Sequence, residues 1–269
     1  MLIDSGRRLE IDKKFDVDQP KTQLSNYLFL RLVARRRTFT EVDFRYTIFD
    51  NCYMRDCRFD SCDFTGSRFV GTNLHGSKFS GCKFDYAVFE RTTIDPSVLD
   101  TECPGFENLK ATFARSLRTN YQQLGNAIAA NKAMKVELQA TEVHLRKAWH
   151  SNERYYRQKY QGLTRLKSFF EWLAFKSLDF IWGNGESAAR LCRFVLIIFF
   201  GMALYDVLNF GDAQRLGSYA SAFLTASEIF VGVLTPDYYR KSYLALITLI
   251  RLAAIGFFLS ILIKRFNRR

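Results

Sequence analysis

Large apolar residues stand at every fifth position from Phe39 to Leu99: Phe39, Phe44, Phe49, Met54, Phe59, Phe64, Phe69, Leu74, Phe79, Phe84, Phe89, Ile94 and Leu99. Two places before each of them, from Val42 to Ser97, sits a smaller residue, such as Thr47, Cys52, Cys57, Cys62, Ser67, Thr72 or Cys82. A period of five fits neither the 3.6 residues of a helical turn nor the alternation of a strand. It marks a repeat architecture, in which each unit buries its large side chain only by stacking on its neighbours.

Charge narrows the partners. The chain of 269 residues carries a net charge of +12 and a pI near 9.5, which points to nucleic acid or a membrane surface. Within the repeat the charges nearly balance. The excess lies in Arg35–Arg37, in the middle of the chain, and beside apolar segments near the end. That distribution suits membrane lipids, and no nucleic-acid partner is expected. Met1 to Pro20 has no apolar core of a secretory signal, so the repeat is expected in the cytosol. Cys52, Cys57, Cys62 and Cys82 all occupy the small slot of the repeat, as packed thiols. Cys62 and Cys82, four repeats apart, share one column. No CxxC or Cys/His spacing is present, and neither metal nor cofactor is expected.

Five segments follow along the chain. Residues 1–36 hold one apolar stretch, Tyr27 to Val33, and read as an N-terminal cap. Residues 37–100 carry the repeat. The runs Cys57-Arg58-Phe59, Cys62-Asp63-Phe64 and Thr72-Asn73-Leu74-His75-Gly76 resemble the pentapeptide-repeat family, whose pattern is A(D/N)LXX. The resemblance implies a right-handed quadrilateral β-helix with four pentapeptides per coil, hence about three coils here. Pro96, unable to donate to a ladder, fits the exit from that coil. Some soluble members of the family imitate duplex DNA with a strongly acidic surface. A near-neutral repeat is instead a platform for a cytosolic protein or ligand. His75 lacks Ser or Asp at triad spacing and reads as a surface residue.

Residues 101–160 change to helical spacing. Leu109, Phe113, Leu117, Tyr121, Leu124 and Ile128 mark one helix, and Asn131 through Met134, Leu138 and Leu145 to Trp149 a second. The pair reads as a helical hairpin on the end of the coil. Its basic residues Arg146, Lys147, Arg154, Arg157 and Lys159 form a solvated face or a contact with headgroups. Residues 161–183 mix Leu166, Phe169, Phe170, Trp172, Leu173 and Phe175 with Arg165, Lys167 and Lys176, the pattern of an amphipathic helix in the membrane interface.

Residues 184–269 read as a two-helix transmembrane domain. Phe194–Phe210 and Ser242–Ile263 are apolar enough to cross the hydrocarbon. Lys176, Arg190, Arg193, Lys264, Arg265, Arg268 and Arg269 would lie on one side, against Arg215, Arg240 and Lys241 on the other. The first side is therefore the cytosolic one, placing both termini inside in a multi-pass protein of the inner (plasma) membrane. Between the spans, Tyr219 to Asp237 is too apolar for an outer loop and too short to cross. It reads as a re-entrant helix followed by extended backbone. This order of span, half-helix, loop and span is similar to two-transmembrane potassium-channel subunits, which implies a homo-oligomer, a tetramer around a pore.

The resemblance puts the pore and selectivity candidates at Glu228, Val231, Gly232, Val233 and Thr235, with Gly256 as a candidate hinge of the inner helix. The filter departs from the family's TVGYG: Val231-Gly232 is kept, but Val233-Leu234-Thr235 follows. Loss of the second glycine argues against strict potassium selectivity. Asp206 lies thirteen residues after Arg193 and Arg251 thirteen before Lys264. Both stand roughly 20 Å above the cytosolic boundary at 1.5 Å per residue. A charge at that depth needs a partner, so an Asp206–Arg251 pair that locks the hairpin is expected, with Glu228 on the re-entrant helix as a competing partner; the functional reading puts Arg251 on a pore wall, where it would favour anions. No phosphate loop, nucleophile elbow or paired carboxylates support an enzyme. The chain reads as a channel-like membrane protein with a cytosolic repeat as sensor or assembly domain. The alternatives are a membrane-anchored scaffold and a signal-triggered membrane-disrupting effector, for instance in defence.

Overall fold

The computed structural model describes residues 6–266 and divides between Phe169 and Phe170 into two compact units. Arg268 and Arg269, which entered the expected orientation, lie outside the described residues.

The first unit opens with short parallel strands: β1 (Arg8–Ile11), β2 (Lys14–Phe15), β3 (Gln19–Pro20), β4 (Tyr27–Leu30), β5 (Val33–Ala34), β6 (Thr38–Thr40), β7 (Ile48–Asp50), β8 (Arg58–Asp60), β9 (Arg68–Val70), β10 (Lys78–Ser80) and β11 (Val88–Glu90). They stack as β1-β4-β7-β9-β11, β10-β8-β6-β3 and β2-β5. Single bridges at Gln23↔Asp43↔Asp63↔Lys83 and Val33↔Tyr53↔Asn73↔Thr93 extend the other two faces. Phe49↔Phe69 and Phe39↔Phe59 pair at an advance of twenty residues, so four pentapeptides make one turn.

Inside, every fifth side chain stacks on its equivalent one turn away. Phe39, Phe59 and Phe79 lie 5.0 Å apart along one ladder, and Phe49, Phe69 and Phe89 lie 4.8 and 4.9 Å apart along another. Phe44, Phe64 and Phe84 form a third, and Ala34, Met54, Leu74 and Ile94 fill the fourth side. These spacings follow the strand separation of the sheet. At the corners the backbone enters the left-handed region every five residues from Lys21 to Arg91. Most of those positions are not glycine. Gly66 is one that is: a Cβ there would collide with the ring of Tyr46 one coil below.

The coil is longer than expected. It begins at Arg8, and the segment assigned to an N-terminal cap is itself coil, giving about four turns where about three were expected. The five-residue beat is hidden there because the first turn is a residue short. Phe15 pairs with Ala34, an advance of nineteen, whereas Gln19 pairs with Phe39, an advance of twenty. Ala34, Gln19 and Arg37 also put unusual residues in the inner slots.

The small slot does more than save space. Thr47 Oγ1 donates to Leu24 O at 2.6 Å, Ser67 Oγ to Phe44 O at 2.7 Å and Ser77 Oγ to Met54 O at 2.7 Å. Cys52, Cys57 and Cys62 point their sulfurs at Phe29, Ala34 and Phe39 carbonyls in the same way. Each hydroxyl or thiol gives a carbonyl of the previous turn a buried side-chain donor. Burial pushes the Cys52 thiol up to about 12, which keeps it protonated.

Helices close the C-terminal end: α1 (Val98–Thr101), α2 (Glu107–Gln123), α3 (Ala127–His150) and α4 (Arg154–Lys159). Phe113 of α2 packs on Phe84 and Phe89. The side chains of α2 imitate the next coil: Ser116 Oγ accepts from Phe89 N at 2.9 Å, Asn120 Oδ1 from Thr92 N at 2.7 Å and Gln123 Oε1 from Arg91 N at 3.0 Å. Asn120 also donates to Thr92 O, and Glu102 accepts from Cys82 N. The hairpin turns earlier than the apolar spacing implied. Gly125, at φ +70, ends α2, and Asn126 caps α3 by accepting from Ala129 N. Ile128 therefore sits on the second helix and is 85% exposed.

Helix α5 (Leu163–Trp182) spans the segment expected in the membrane interface. The second unit continues with α6 (Ala188–Phe210), α7 (Leu216–Val231) and α8 (Lys241–Phe266). Of these, α6 and the Lys241–Lys264 stretch of α8 are long and apolar enough to cross a membrane.

Candidate functional site

The geometry around the expected pore residues is set by three packed helices. Ser187 caps α6 by accepting from Arg190 N, as a Ser ahead of a helix does. Arg190 pairs with Asp179, and Arg193 donates to Phe180 O at 3.0 Å, so the end of α5 is tied to the start of α6. Lys264 reaches Glu186 at 3.5 Å, and Trp182 stacks on Phe257 at 4.4 Å. At the opposite end Tyr205 of α6 stacks on Tyr243 of α8 at 4.6 Å. Helices α6 and α8 are therefore antiparallel.

Helix α7 runs back along α6. Ala222 packs with Ala203 and Val207, whereas Phe230, near the other end of α7, meets Phe199 at 5.2 Å. At sixteen residues α7 is too short to cross 30 Å of hydrocarbon. It stops at Gly232, whose φ of +88 is the left-handed conformation common after a helix, and the N–H groups of Gly232 and Val233 both return to Glu228 O at 3.0 Å. The chain then runs without helix to Tyr239.

Among the described residues Asp206 and Arg251 each take another partner, where a pair between them was expected. Asp206 Oδ1 accepts from the Tyr239 hydroxyl at 2.6 Å, and Arg251 Nη1 donates to Val231 O at 3.0 Å. Arg251 has found the carbonyl end of α7, where a helix dipole favours positive charge. Neither partner was visible to a rule that matched only charge with charge. The signal available in the sequence was the run of tyrosines at 238, 239 and 243 beside the second span.

The remaining candidates fall around this contact. Val231 and Val233 are exposed, Val233 by 79%, and Thr235 is exposed. Glu228 is exposed and makes no ion pair among the described residues. Gly232 borders Arg251 so closely that a Cβ would fall on the guanidinium. A cavity of about 110 Å³ is lined by Gly232, Leu234, Thr235, Ile247, Thr248 and Arg251. Helix α8 continues unbroken through Gly256, where a Cβ would meet open space.

In the first unit His144 lies between two hydroxyls, Nδ1 3.2 Å from Tyr156 and Nε2 3.1 Å from Tyr160. Burial, and then Lys159, hold its basicity below that of a free imidazole. Tyr156 of α4 and Tyr160 at its C-terminal cap create this site, which the sequence reading passed over. No group of three His, Cys, Asp or Glu side chains able to hold a metal occurs among the described residues.

Residues 16–101 match the family described as "Pentapeptide repeat region". No curated protein matches the chain. Among solved structures, the chain is similar to a trypsin-treated QnrB1, a plasmid-mediated fluoroquinolone resistance protein, at 14% identity and TM-score 0.22, over 34% of this chain and 62% of that one. The chain thus spans less than two thirds of QnrB1's length. It is also similar to a pentapeptide repeat protein from the thylakoid lumen of Arabidopsis thaliana, at 14% identity and TM-score 0.16, over 31% and 72% of the two chains.

Proposed function

We propose that the chain is an oligomeric, channel-like protein of the inner (plasma) membrane, whose coil is a cytosolic sensor or assembly domain. The observation that carries this reading is the course of the chain between the two apolar helices. Helix α7 returns along α6, stops at Gly232, and a non-helical stretch with a turn at Pro236–Tyr239 leads to Tyr239 at Asp206. Placed in a bilayer, that course is a re-entrant loop. Non-helical backbone at such depth is tolerated only when covered by protein or lining a water-filled cavity, which favours an assembly around a pore. Exposed Leu196, Phe200, Leu246, Leu249 and Leu252 provide apolar faces for lipid and for further copies. Four copies would follow the two-span channel layout, with both termini in the cytosol.

A second reading, a membrane-anchored scaffold, is favoured by Gly232 itself. Its left-handed conformation is an ordinary helix stop and needs no ion to account for it. Flux through liposomes carrying the purified chain, measured separately for potassium, sodium and chloride, divides the two. Conductance by a multimer is the expected result. A detergent monomer that conducts none of the three ions would overturn the channel and leave the scaffold.

A further inference from the structure

We infer that the cavity between the end of α7 and the middle of α8 is a binding site for a small monovalent anion, of halide or nitrate size, held by Arg251. This rests on the reading of α8 as a membrane span. Arg251 lies ten residues after Lys241 and thirteen before Lys264. It is therefore roughly 15 and 20 Å from the two ends of the helix. At that depth a guanidinium without a counter-charge is costly.

Its surroundings supply no such charge. Among the described residues Arg251 makes one hydrogen bond, to the neutral Val231 carbonyl. Neither acidic residue of α6 or α7 pairs with it among the described residues: Asp206 holds the Tyr239 hydroxyl, and Glu228 forms no ion pair. A guanidinium carries five N–H donors, so most of the fork remains available. Arg251 borders the 110 Å³ cavity, with Thr235 and Thr248 on its wall. The Thr248 hydroxyl is committed to Leu244 O, which leaves that of Thr235 as the second donor to an anion. Gly232 is part of the construction, because any side chain there would push the guanidinium away from Val231 O. Headgroup phosphates sit at the membrane surfaces, too far from mid-span to be the ligand. A single small anion matches both the charge to be balanced and the space.

The test uses the full chain in detergent and reads thermal unfolding at matched ionic strength in sodium chloride, sodium nitrate and sodium gluconate. A ligand bound only by the folded state raises Tm, here by about 2–4 °C at saturating chloride over bulky gluconate. Replacing sodium by lithium should change nothing. The chloride effect should vanish in Arg251→Gln and persist in Arg251→Lys. Gly232→Ala, a second route that keeps the charge, should weaken it by displacing the fork. Equal Tm values in chloride, nitrate and gluconate would overturn the site, as would a chloride effect unchanged in Arg251→Gln. The liposome flux assay is scored apart: an Arg251-dependent chloride effect without conductance keeps the site and removes the channel. Potassium conductance with no chloride effect keeps the channel and removes the site.

Discussion

In the coil, the buried groups of one turn are answered by the turn beside it. Phe64 stacks on Phe44 below and Phe84 above, and Ser77 bridges Met54 O and Cys57 N. Where the last turn has no successor, α2 supplies Ser116, Asn120 and Gln123 in its place. The helices after Phe170 are built the other way. Large apolar side chains of α6 and α8 face outward, and among the described residues Asp206 and Arg251 are each held by a single neutral partner. The coil is complete in its own fold. The helical unit leaves surface and charge to be satisfied from outside, which is what a lipid, a second copy or an ion would do.

The sharpest attack on this contrast is to cut each region at its centre. Phe64→Ala removes a fully buried ring from the middle of a ladder and should cost about 3–5 kcal/mol. Leu249→Ala, on an outward face of α8, should change folding by no more than about 0.5 kcal/mol. Urea titration of the full chain in detergent, followed by hydrogen exchange of coil amides, reads both. Similar losses in the two variants would break the comparison.

Asn120→Ala tests whether α2 truly stands in for a coil. It strips partners from Thr92 N and Thr92 O together and should cost about 2–3 kcal/mol, with exchange rising first at the last turn. Loss confined to α2 and α3 would show that the end of the coil needs no such cap. Ser77→Ala should cost about 1–2 kcal/mol, since Met54 O and Cys57 N lose a buried partner. Ser77→Cys should recover part of it, because cysteines already serve the same slot at 52, 57 and 62. A fully neutral alanine would reduce the slot to a question of size.

Two smaller effects depend on pH. His144 titrates lower in the folded chain than when free, so the folded state binds fewer protons through the transition. Stability is therefore full above the free imidazole value near 6.5 and declines as pH falls below it. Hydrogen exchange of α4 at pH 7.5 and 5.0 should show the loss, and His144→Phe should abolish the pH dependence. Asp43 is held below the usual carboxylate range by its hydrogen bond to Arg45. Its contribution is complete above the free carboxyl value near 3.9 and disappears as pH falls through the lower folded value. With Arg45 half exposed it is worth less than about 1 kcal/mol. Acid titration of Asp43→Asn against the parent measures it.

By itself the sequence determined the coil from Phe39 onward, its inner and outer positions, and the two apolar helices. Those features rest on local pattern: every fifth residue must be large, and a span must be predominantly apolar over about twenty residues. The tertiary structure alone decided where the period fails. The nineteen-residue first turn shifts the beat before Gln19, while Gln19 and Ala34 stand in the large slots after it and blur the fives that Leu24 and Phe29 keep. It also decided that the small slot is a donor slot, which size alone does not reveal. Above all it separated Asp206 from Arg251. Opposite charges at similar depth made a pair reasonable, but whether two side chains meet depends on helix rotation and on nearer dipoles. Tyr239 and the carbonyl end of α7 were nearer.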